Sequence, residues 1–324
     1  MTSQEPDLKT LVQRLEKRHQ KKQAATALVA GTAVLGLMGL LMPLFAKEEQ
    51  AAPVAEAPVP QIAVNPEAFS GADVGGKAAI VYDLTTGEVL FEKNSRSQLP
   101  LASLTKLLTV YAAADALSPD ATVTITDSAL LPEGESGFVL GERFRFDELA
   151  KLALVSSSND ATAAIAEAAS IARATSGKNL LAGAAATAGL SQTYALNGTG
   201  LDESLSVSGG YGSAKDVAVL AGKLLEKAPE IAQATVETSF SIQSLEGVTH
   251  RLPNTNQDVV RVPGILLSKT GFTDLAGGNL AVVYDAGIGH PVAVVVLGSS
   301  REGRFADVRS LIARTDAYFA GTDR

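Results

Sequence analysis

Three short motifs contain side chains that could carry out nucleophilic catalysis. They are SLTK at Ser103 to Lys106, SSN at Ser157 to Asn159, and KTG at Lys269 to Gly271. A serine hydroxyl is a poor nucleophile until a base removes its proton. Residues i and i+3 of a helix share a face, so the lysine of the first motif is expected to reach the serine hydroxyl. This spacing predicts a serine nucleophile with a lysine base.

The base has to lose its own proton near neutral pH. Burial in an apolar helix face beside a second cation, Lys269, is expected to lower the pKa of Lys106. Ser157 is then expected to relay a proton to the leaving group, and Asn159 to hold a substrate amide. The KTG strand could accept an extended peptide along its edge, and Gly271 would let that peptide backbone approach closely. Taken alone, Lys106 could equally be a snorkelling lysine at the end of a buried helix.

The sequence pattern places these motifs on predicted elements. Apolar residues at helical spacing predict a helix over residues 100–117. The other predicted elements are a hairpin over 77–94, a strand over 121–126, a helix that begins near Asp147, a helix over 161–174 with Asp160 as its N-cap, three strands over 264–271, 277–285 and 290–300, and a last helix over 304–319. Helices in the middle with strands at both ends predict an α+β domain, in which an antiparallel sheet is flanked by helices and accompanied by a helical subregion.

Composition excludes several classes of chemistry. The chain has no cysteine, which rules out disulfides, a thiolate nucleophile and a cysteine-ligated metal. His19, His250 and His290 lie far apart and form no metal-binding motif, so neither a metal nor a cofactor is predicted. The net charge is −8, and because residues 1–46 carry +3 the rest of the chain carries −11. Such an acidic body disfavours nucleic-acid binding.

Two groups of titratable residues receive a structural interpretation. Glu133, Glu135 and Glu142 are read as a solvated acidic loop. His250 and His290 stand beside turns or strand ends and are read as structural or solvated.

The N-terminal part of the chain predicts a membrane anchor. Residues 24–46 contain no charge and are long enough to cross the roughly 30 Å core of a bilayer. The basic segment 1–23 would stay in the cytoplasm by the positive-inside rule. A cleaved signal peptide is the alternative, which is disfavoured because the apolar run is too long and Leu44 stands where a small residue is required. Residues 47–74 are rich in alanine and proline and predict a tether, followed by a domain over 75–324.

Seven sequence blocks are similar to those of a known enzyme family. In order they are ASLTK, SSSNDA, NGTGL, GSAKDVA, LPNTN, SKTGFTDLAGGNLAV and VVVLGSSREGRF. From about Gly75 to Phe319 the sequence resembles the serine-type D-alanyl-D-alanine carboxypeptidases, which are low-molecular-mass penicillin-binding proteins. The resemblance implies a penicillin-binding, β-lactamase-like transpeptidase fold. It also implies removal of the terminal D-alanine from peptidoglycan stem peptides that end in D-Ala-D-Ala, inhibition by β-lactam antibiotics, and no cofactor.

The resemblance assigns roles to residues of all three motifs. Ser103 would be the acylated nucleophile and Lys106 its general base. Ser157 would be the third catalytic residue, and Asn159 and Lys269 would complete the polar cleft.

The same resemblance implies how the substrate is held. Thr270 would bind the terminal carboxylate, and the backbone N–H groups of Ser103 and Phe272 would form the oxyanion hole. In some members an arginine after the last strand also holds that carboxylate. Arg304 matches this position best, and Arg301 is the second choice.

Three alternative functions are weighed against the carboxypeptidase. A D,D-endopeptidase that cuts cross-links would use the same motifs. A serine β-lactamase of class A would need a glutamate in an ExxxN-type loop, and none occurs between Asn159 and Lys269. An inactive, membrane-tethered wall-binding protein would not need an intact Ser103, Lys106 and Lys269.

Location and domain content are expected to differ from many family members. Many carry a C-terminal β-rich domain with an amphipathic anchor, whereas this sequence ends after the core domain and has the predicted N-terminal anchor. We therefore expect a single-pass protein of the cytoplasmic membrane, with its N-terminus inside and its catalytic domain on the outer face, periplasmic or extracellular.

Overall fold

The computed structural model describes residues 64–134, 137–287 and 289–321. The predicted cytoplasmic segment, the predicted membrane anchor and most of the predicted tether, residues 1–63, lie outside the described residues. In the part of the chain that is described, no helix combines the length and apolarity needed to cross a bilayer.

Five strands form the main sheet of the domain. Within the described residues the strands are β1 (Ala78–Asp83), β2 (Val89–Lys93), β3 (Leu99–Pro100), β4 (Thr122–Thr124), β5 (Arg143–Arg145), β6 (Tyr194–Ala195), β7 (Gly210–Gly212), β8 (Ser239–Gln243), β9 (Thr249–Pro253), β10 (Ile265–Thr273), β11 (Gly277–Asp285) and β12 (Pro291–Ser299). The main sheet is antiparallel with the order β10-β11-β12-β1-β2. The predicted hairpin and the three C-terminal strands are confirmed, and the sheet joins the two ends of the domain.

Helices cover both faces of this sheet. The described residues form α1 (Thr105–Ala116), α2 (Phe146–Ser156), α3 (Asn159–Ala172), α4 (Gly177–Thr187), α5 (Ala214–Lys227), α6 (Pro229–Ala234) and α7 (Gly303–Phe319), with short 3-10 turns at Pro66–Phe69, Ala102–Leu104, Ser128–Leu130 and Val259–Arg261. Helix α7 packs on β11 and β12, and α5 packs on β1 and β12. The α+β class and the helical subregion are as predicted.

Side chains that alternate along the central strands belong to two separate apolar clusters, one on each face of the sheet. Ile80 of β1 and Val295 of β12 belong to the larger cluster, which includes α1, α2 and α5. Their neighbours Val81 and Val294 belong to the second cluster, beneath α7. Because both faces of the sheet are covered, the sequence of β12 is almost continuously apolar and does not alternate between apolar and polar residues.

The first motif, SLTK, lies where the helical subregion meets the edge of the sheet. Helix α1 packs against α3, α4 and α5, and the turn Ala102–Leu104 packs against β10 at the edge of the sheet. Side chains at the start of α1 are consequently surrounded by protein, and Lys106 is fully buried.

Two predicted helix starts are wrong. The helix expected over residues 100–117 begins at Thr105, because Pro100 pairs with β7 and Ala102 adopts a left-handed backbone with φ +49°. Helix α3 has Ser158 as its N-cap rather than Asp160, because the Ser158 hydroxyl accepts a hydrogen bond from the N–H of Ala161 at 3.1 Å.

Candidate active site

Ser103 and Lys106 are in direct contact at the start of α1. Ser103 lies in the 3-10 turn that precedes the helix, and Lys106 lies in the first turn of α1. The Nζ atom of Lys106 is 3.1 Å from the Oγ atom of Ser103. The i, i+3 contact expected from the sequence is therefore present.

Lys106 is held by two further oxygens. Its Nζ donates to Oδ1 of Asn159 at 2.6 Å and to the backbone carbonyl of Thr199 at 2.7 Å. The side chain is fully buried, and burial lowers the pKa of Lys106 from 10.5 to about 7. A lysine with this pKa is neutral in a large fraction of molecules at neutral pH and can accept a proton from Ser103.

Lys269 of β10 is the second buried cation. Its Nζ donates to Oγ of Ser157 at 2.9 Å and to the carbonyl of Thr270 at 2.9 Å. Burial lowers the pKa of Lys269 well below its ordinary value, and the neighbouring charges of Lys106 and Arg304 lower it further. The two lysines interact, so their protons leave in two steps that belong to the pair. Neither forms an ion pair with any carboxylate of the described residues.

The turn between α2 and α3 presents the second motif. Ser157 ends α2 in a left-handed backbone with φ +62°, a conformation that costs a non-glycine residue about 1–2 kcal/mol. Asn159 begins α3, and its amide nitrogen donates to the carbonyl of Glu133 at 2.5 Å. Because its Oδ1 accepts a hydrogen bond from Lys106 and its amide nitrogen donates to Glu133, the orientation of the Asn159 side-chain amide is fixed.

Gly271 allows β10 to lie against the backbone of Ser103. A Cβ atom at this position would lie 2.9 Å from the carbonyl oxygen of Leu101 and 3.3 Å from the backbone nitrogen of Ser103. Only a glycine allows this close approach. Phe272 follows directly, so the two N–H groups predicted to form the oxyanion hole belong to segments that the structure places side by side.

The residues expected to bind a carboxylate lie around the same strand. The hydroxyl of Thr270 is 2.6 Å from the hydroxyl of Thr255. Arg304 is buried, and its Nη1 donates to the carbonyl of Gly271 at 2.7 Å. Arg301 stacks on the ring of Phe272, with its guanidinium carbon 4.0 Å from the ring centroid. Both candidate arginines contact β10, and Arg304 is the one that contacts the KTG motif itself.

Four residues contribute to the site in ways that the sequence did not predict. Thr199 supplies a backbone carbonyl to Lys106, and the Asn197 side chain shapes that loop by accepting from the N–H groups of Thr199 and Gly200. Thr255 contacts Thr270 through its hydroxyl, and the carbonyl of Glu133 holds Asn159. The available signal was the presence of three of these residues, Asn197, Thr199 and Thr255, in the blocks NGTGL and LPNTN.

Glu142 does not fit its sequence-based interpretation as a solvated side chain, whereas His250 is structural, one of the two interpretations given for it. The exposed fractions of these side chains are 6% and 8%, and Nε2 of His250 lies 3.0 Å from Oε1 of Glu142. The other carboxylate oxygen of Glu142 accepts from the N–H of Val139 at 2.8 Å. The pair joins β9 to the loop that follows the first motif, so Glu142 is a structural residue. His290 also has a structural contact, 2.8 Å from the carboxylate of Asp83.

Comparison with known proteins agrees with this geometry. A profile of the D-alanyl-D-alanine carboxypeptidase family, peptidase S11, matches residues 64–301. D-alanyl-D-alanine carboxypeptidase DacF of Bacillus subtilis is 31% identical over 242 residues, which are 73% of this chain and 61% of the relative. A D-alanyl-D-alanine endopeptidase of Escherichia coli is 29% identical over 273 residues, which are 80% of this chain and 81% of that protein. The chain spans about three fifths of the length of several carboxypeptidases that it matches, DacF among them.

A solved structure is similar in fold as well as in sequence. Penicillin-binding protein D2 of Listeria monocytogenes, in its ampicillin-bound form, superposes with a TM-score of 0.64 and 26% identity over 75% of this chain and 98% of that one. The profile match covers more than two thirds of the sequence and includes all three motifs. The chain therefore belongs to the D-alanyl-D-alanine carboxypeptidase family of low-molecular-mass penicillin-binding proteins.

Proposed function

We propose that this protein is a serine D,D-carboxypeptidase that removes the terminal D-alanine from peptidoglycan stem peptides ending in D-Ala-D-Ala. The observation that carries the proposal is the contact between Lys106 and Ser103. A fully buried amine with a pKa of about 7 lies 3.1 Å from the serine hydroxyl, which is the arrangement a lysine base requires.

The reaction would begin with proton transfer from Ser103 to neutral Lys106. The serine Oγ then attacks the carbonyl carbon of the penultimate D-alanine, and the N–H groups of Ser103 and Phe272 stabilise the negative oxygen. The C–N bond breaks, and the leaving amine receives the proton through Ser157, whose hydroxyl accepts a hydrogen bond from Lys269. Water then hydrolyses the ester on Ser103 with the same base.

The charges of the cleft match the proposed substrate. Arg304 and Lys269 have no carboxylate partner among the described residues, so a substrate carboxylate near Thr270 would pair with the buried Arg304 guanidinium and favour the protonated form of Lys269. The Asn159 amide would hold a substrate peptide group. Strand β10 lies at the edge of the main sheet and could pair with the extended stem peptide.

β-lactam antibiotics would acylate the same serine. They present a strained amide carbonyl and a carboxylate, which correspond to the scissile bond and the terminus of the peptide. The likeness to a penicillin-binding protein in its ampicillin-bound form supports this part of the proposal.

We also propose that the domain acts on the outer face of the cytoplasmic membrane. The support is the uncharged run 24–46 behind a basic segment. N-terminal sequencing of the protein from isolated membranes should find residues 1–46 retained. A mature N-terminus near Lys47 would instead indicate a cleaved signal peptide.

Labelling with a fluorescent penicillin, together with release of D-alanine from a pentapeptide stem, tests the catalytic proposal. Ser103→Ala should abolish both, whereas replacement of the exposed serine in Ser97→Ala should change neither. Labelling that survives in Ser103→Ala contradicts the assignment. Label that is released within seconds, with no D-alanine produced from the peptide, would indicate a β-lactamase instead.

A further inference from the structure

One asparagine side chain organises the loop that follows β6. The Oδ1 atom of Asn197 accepts three hydrogen bonds, from the N–H and the hydroxyl of Thr199 at 3.2 and 3.0 Å and from the N–H of Gly200 at 2.8 Å. We call residues 197–203 the Asn197 loop. Thr199, whose carbonyl accepts a hydrogen bond from Lys106, thus has its backbone N–H and its side chain held by the same oxygen.

The Asn197 loop is also held at its other end and along its packed face. The amide nitrogen of Asn197 donates to the carbonyl of Leu201 at 3.0 Å and to the carboxylate of Glu203 at 2.7 Å. Gly200 has φ +78°, and a Cβ atom there would collide with the carbonyl oxygen of Ala102. The loop therefore lies against the backbone that directly precedes the proposed nucleophile, and the Asn197 side chain sets the course of the loop there.

The Thr199 carbonyl determines the direction of the Lys106 lone pair. A neutral lysine amine has two N–H donors and one lone pair. Two oxygens that can only accept, Oδ1 of Asn159 at 2.6 Å and the carbonyl of Thr199 at 2.7 Å, take up the two N–H groups. The lone pair then points to the remaining neighbour, the Ser103 hydroxyl at 3.1 Å. Without the Thr199 carbonyl, the amine could turn and present an N–H to Ser103 instead.

The same carbonyl stabilises the protonated form of Lys106. An ammonium group has three N–H donors, and the oxygens of Ser103, Asn159 and Thr199 accept one each. Loss of one acceptor weakens the charged form more than the neutral form, because a hydrogen bond from an ionised donor is about twice as strong. Removing the Thr199 carbonyl should therefore lower the pKa of Lys106 further.

The other charged groups around Lys106 do not replace this contact. In the part of the chain that is described, no carboxylate forms an ion pair with Lys106. The charged side chains on the surrounding segments are Lys269 of β10, Arg304 of α7, Asp160 of α3, Asp216 of α5, and Asp202 and Glu203 of the Asn197 loop.

We propose that Asn197 is a positioning residue for acylation, which holds the Thr199 carbonyl against Lys106 so that the lone pair of the neutral amine points at the Ser103 hydroxyl. The inference rests on the proposed function, because it concerns how the base of that reaction is oriented. Asn197 acts through the Thr199 carbonyl. Its loss should consequently change both the rate of acylation and the pH at which acylation begins.

The test measures acylation of the full-length protein by a fluorescent penicillin from pH 5 to pH 9. In Asn197→Ala the rate at the upper plateau should fall about tenfold, because the amine is no longer oriented. The midpoint of the acid limb, an apparent value of the lysine pair, should move to lower pH by about one unit, since the ammonium form has lost an acceptor.

An exchanged pair serves as the rescue variant. Asn197→Asp combined with Glu203→Gln keeps the acceptor for the Thr199 and Gly200 N–H groups, the hydrogen bond between the two side chains and the total charge. Its plateau rate should stay within about threefold of that of the unaltered protein. Its midpoint should not fall, because the carboxylate has moved closer to Lys106.

Asp285→Ala is the matched control for the loss of a loop-holding side chain. The Asp285 carboxylate likewise accepts from three N–H groups, here in the turn between β11 and β12. It lies about 20 Å along β11 from Asn279, the residue paired with Gly271. Acylation by this variant should match that of the unaltered protein at every pH, and far-UV circular dichroism should show that each variant is folded.

The outcomes separate this inference from the proposed function. An unaltered rate and midpoint in Asn197→Ala would contradict the inference. A slower Asn197→Ala whose midpoint stays or moves to higher pH would also overturn it, since a loosened loop that admits water raises the pKa of Lys106. If Asn197→Ala does not fold, the exchanged pair decides, and a plateau rate reduced more than tenfold there refutes the role of the Oδ1 acceptor. In all these cases labelling of Ser103 in the unaltered protein leaves the proposed function intact, whereas no labelling at all removes both.

Discussion

Replacing Lys106 by methionine should remove a pH dependence of stability that the buried lysine imposes on the folded protein. Methionine keeps an unbranched side chain and carries no charge. Burial lowers the pKa of Lys106 from 10.5 to about 7, and each pH unit of that difference corresponds to about 1.4 kcal/mol. Keeping the ammonium form inside the folded protein therefore costs on the order of 5 kcal/mol.

The sign follows from which state holds the proton. Below pH 7 both the folded and the unfolded chain bind it, so the full cost of the buried charge is present there. Between pH 7 and 10.5 the folded protein has released the proton of Lys106 while the unfolded chain keeps it, so the free energy of unfolding rises with pH. From pH 6 to pH 9 this single group should add about 2.5 kcal/mol.

The lowered pKa of Lys269 acts in the same direction in the unaltered protein. Without the charge of Lys106, the pKa of Lys269 should rise, which moves its contribution to higher pH. The difference between the unaltered protein and Lys106→Met over this interval is therefore at least the contribution of Lys106 itself.

Urea denaturation at pH 6 and pH 9, followed by far-UV circular dichroism, measures this difference. Lys178→Met, which replaces an exposed lysine of α4, is the control and should retain the pH dependence of the unaltered protein. Groups common to all three proteins cancel in the comparison. If Lys106→Met shows the same rise in stability as the unaltered protein, Lys106 does not release its proton in this range, and the argument that it serves as a neutral base is refuted.

Four further substitutions test other parts of the site and its support. Gly271→Ala should slow penicillin acylation about a hundredfold, because the added Cβ would force β10 away from the backbone N–H of Ser103. A stopped-flow acylation rate equal to that of the unaltered protein would contradict the predicted oxyanion hole. Lys106→Ala should suppress acylation at every pH from 5 to 10, whereas Lys269→Arg should keep part of it with weaker substrate capture; near-normal acylation in Lys106→Ala would reveal another base. Glu142→Ala should lower the free energy of unfolding by about 1–3 kcal/mol, since His250 loses its buried partner, and urea denaturation that shows less than about 0.5 kcal/mol would argue against a structural role for the pair.

The sequence predicted the elements of the site because local periodicity and local spacing determine them. The contact of Ser103 with Lys106 follows from residues three apart at a helix start, and it is present at 3.1 Å. The strand that carries Lys269 was predicted from an apolar run bounded by glycines. Burial lowers the pKa of Lys106 as expected, but the charge effect acts on the other lysine: the charge of Lys106 lowers the pKa of Lys269.

Contacts made by backbone atoms and by distant loops could not be predicted in the same way. Thr199 contributes its carbonyl, which every residue possesses, so its residue type carries no signal. The hydroxyl contact of Thr255 with Thr270 depends on how the segment after β9 returns to the sheet. Glu142 reads as one of several acidic loop residues, and its burial depends on His250, which lies more than a hundred residues away in the sequence.

Several unfavourable features of this domain coincide at the proposed catalytic centre. Among the described residues, four residues other than glycine adopt positive φ, and two of them belong to this centre. Ala102 directly precedes Ser103, the proposed nucleophile, and Ser157 is the proposed proton relay. Two buried lysines, which have no carboxylate partner within the described part of the chain, contact Ser103 and Ser157. Strain and buried charge persist only where the surrounding packing offsets them, here the apolar cluster that encloses α1. Substitutions that relieve this strain or remove a buried charge should therefore raise stability and reduce acylation together, a correlation that residues with a purely structural role would not produce.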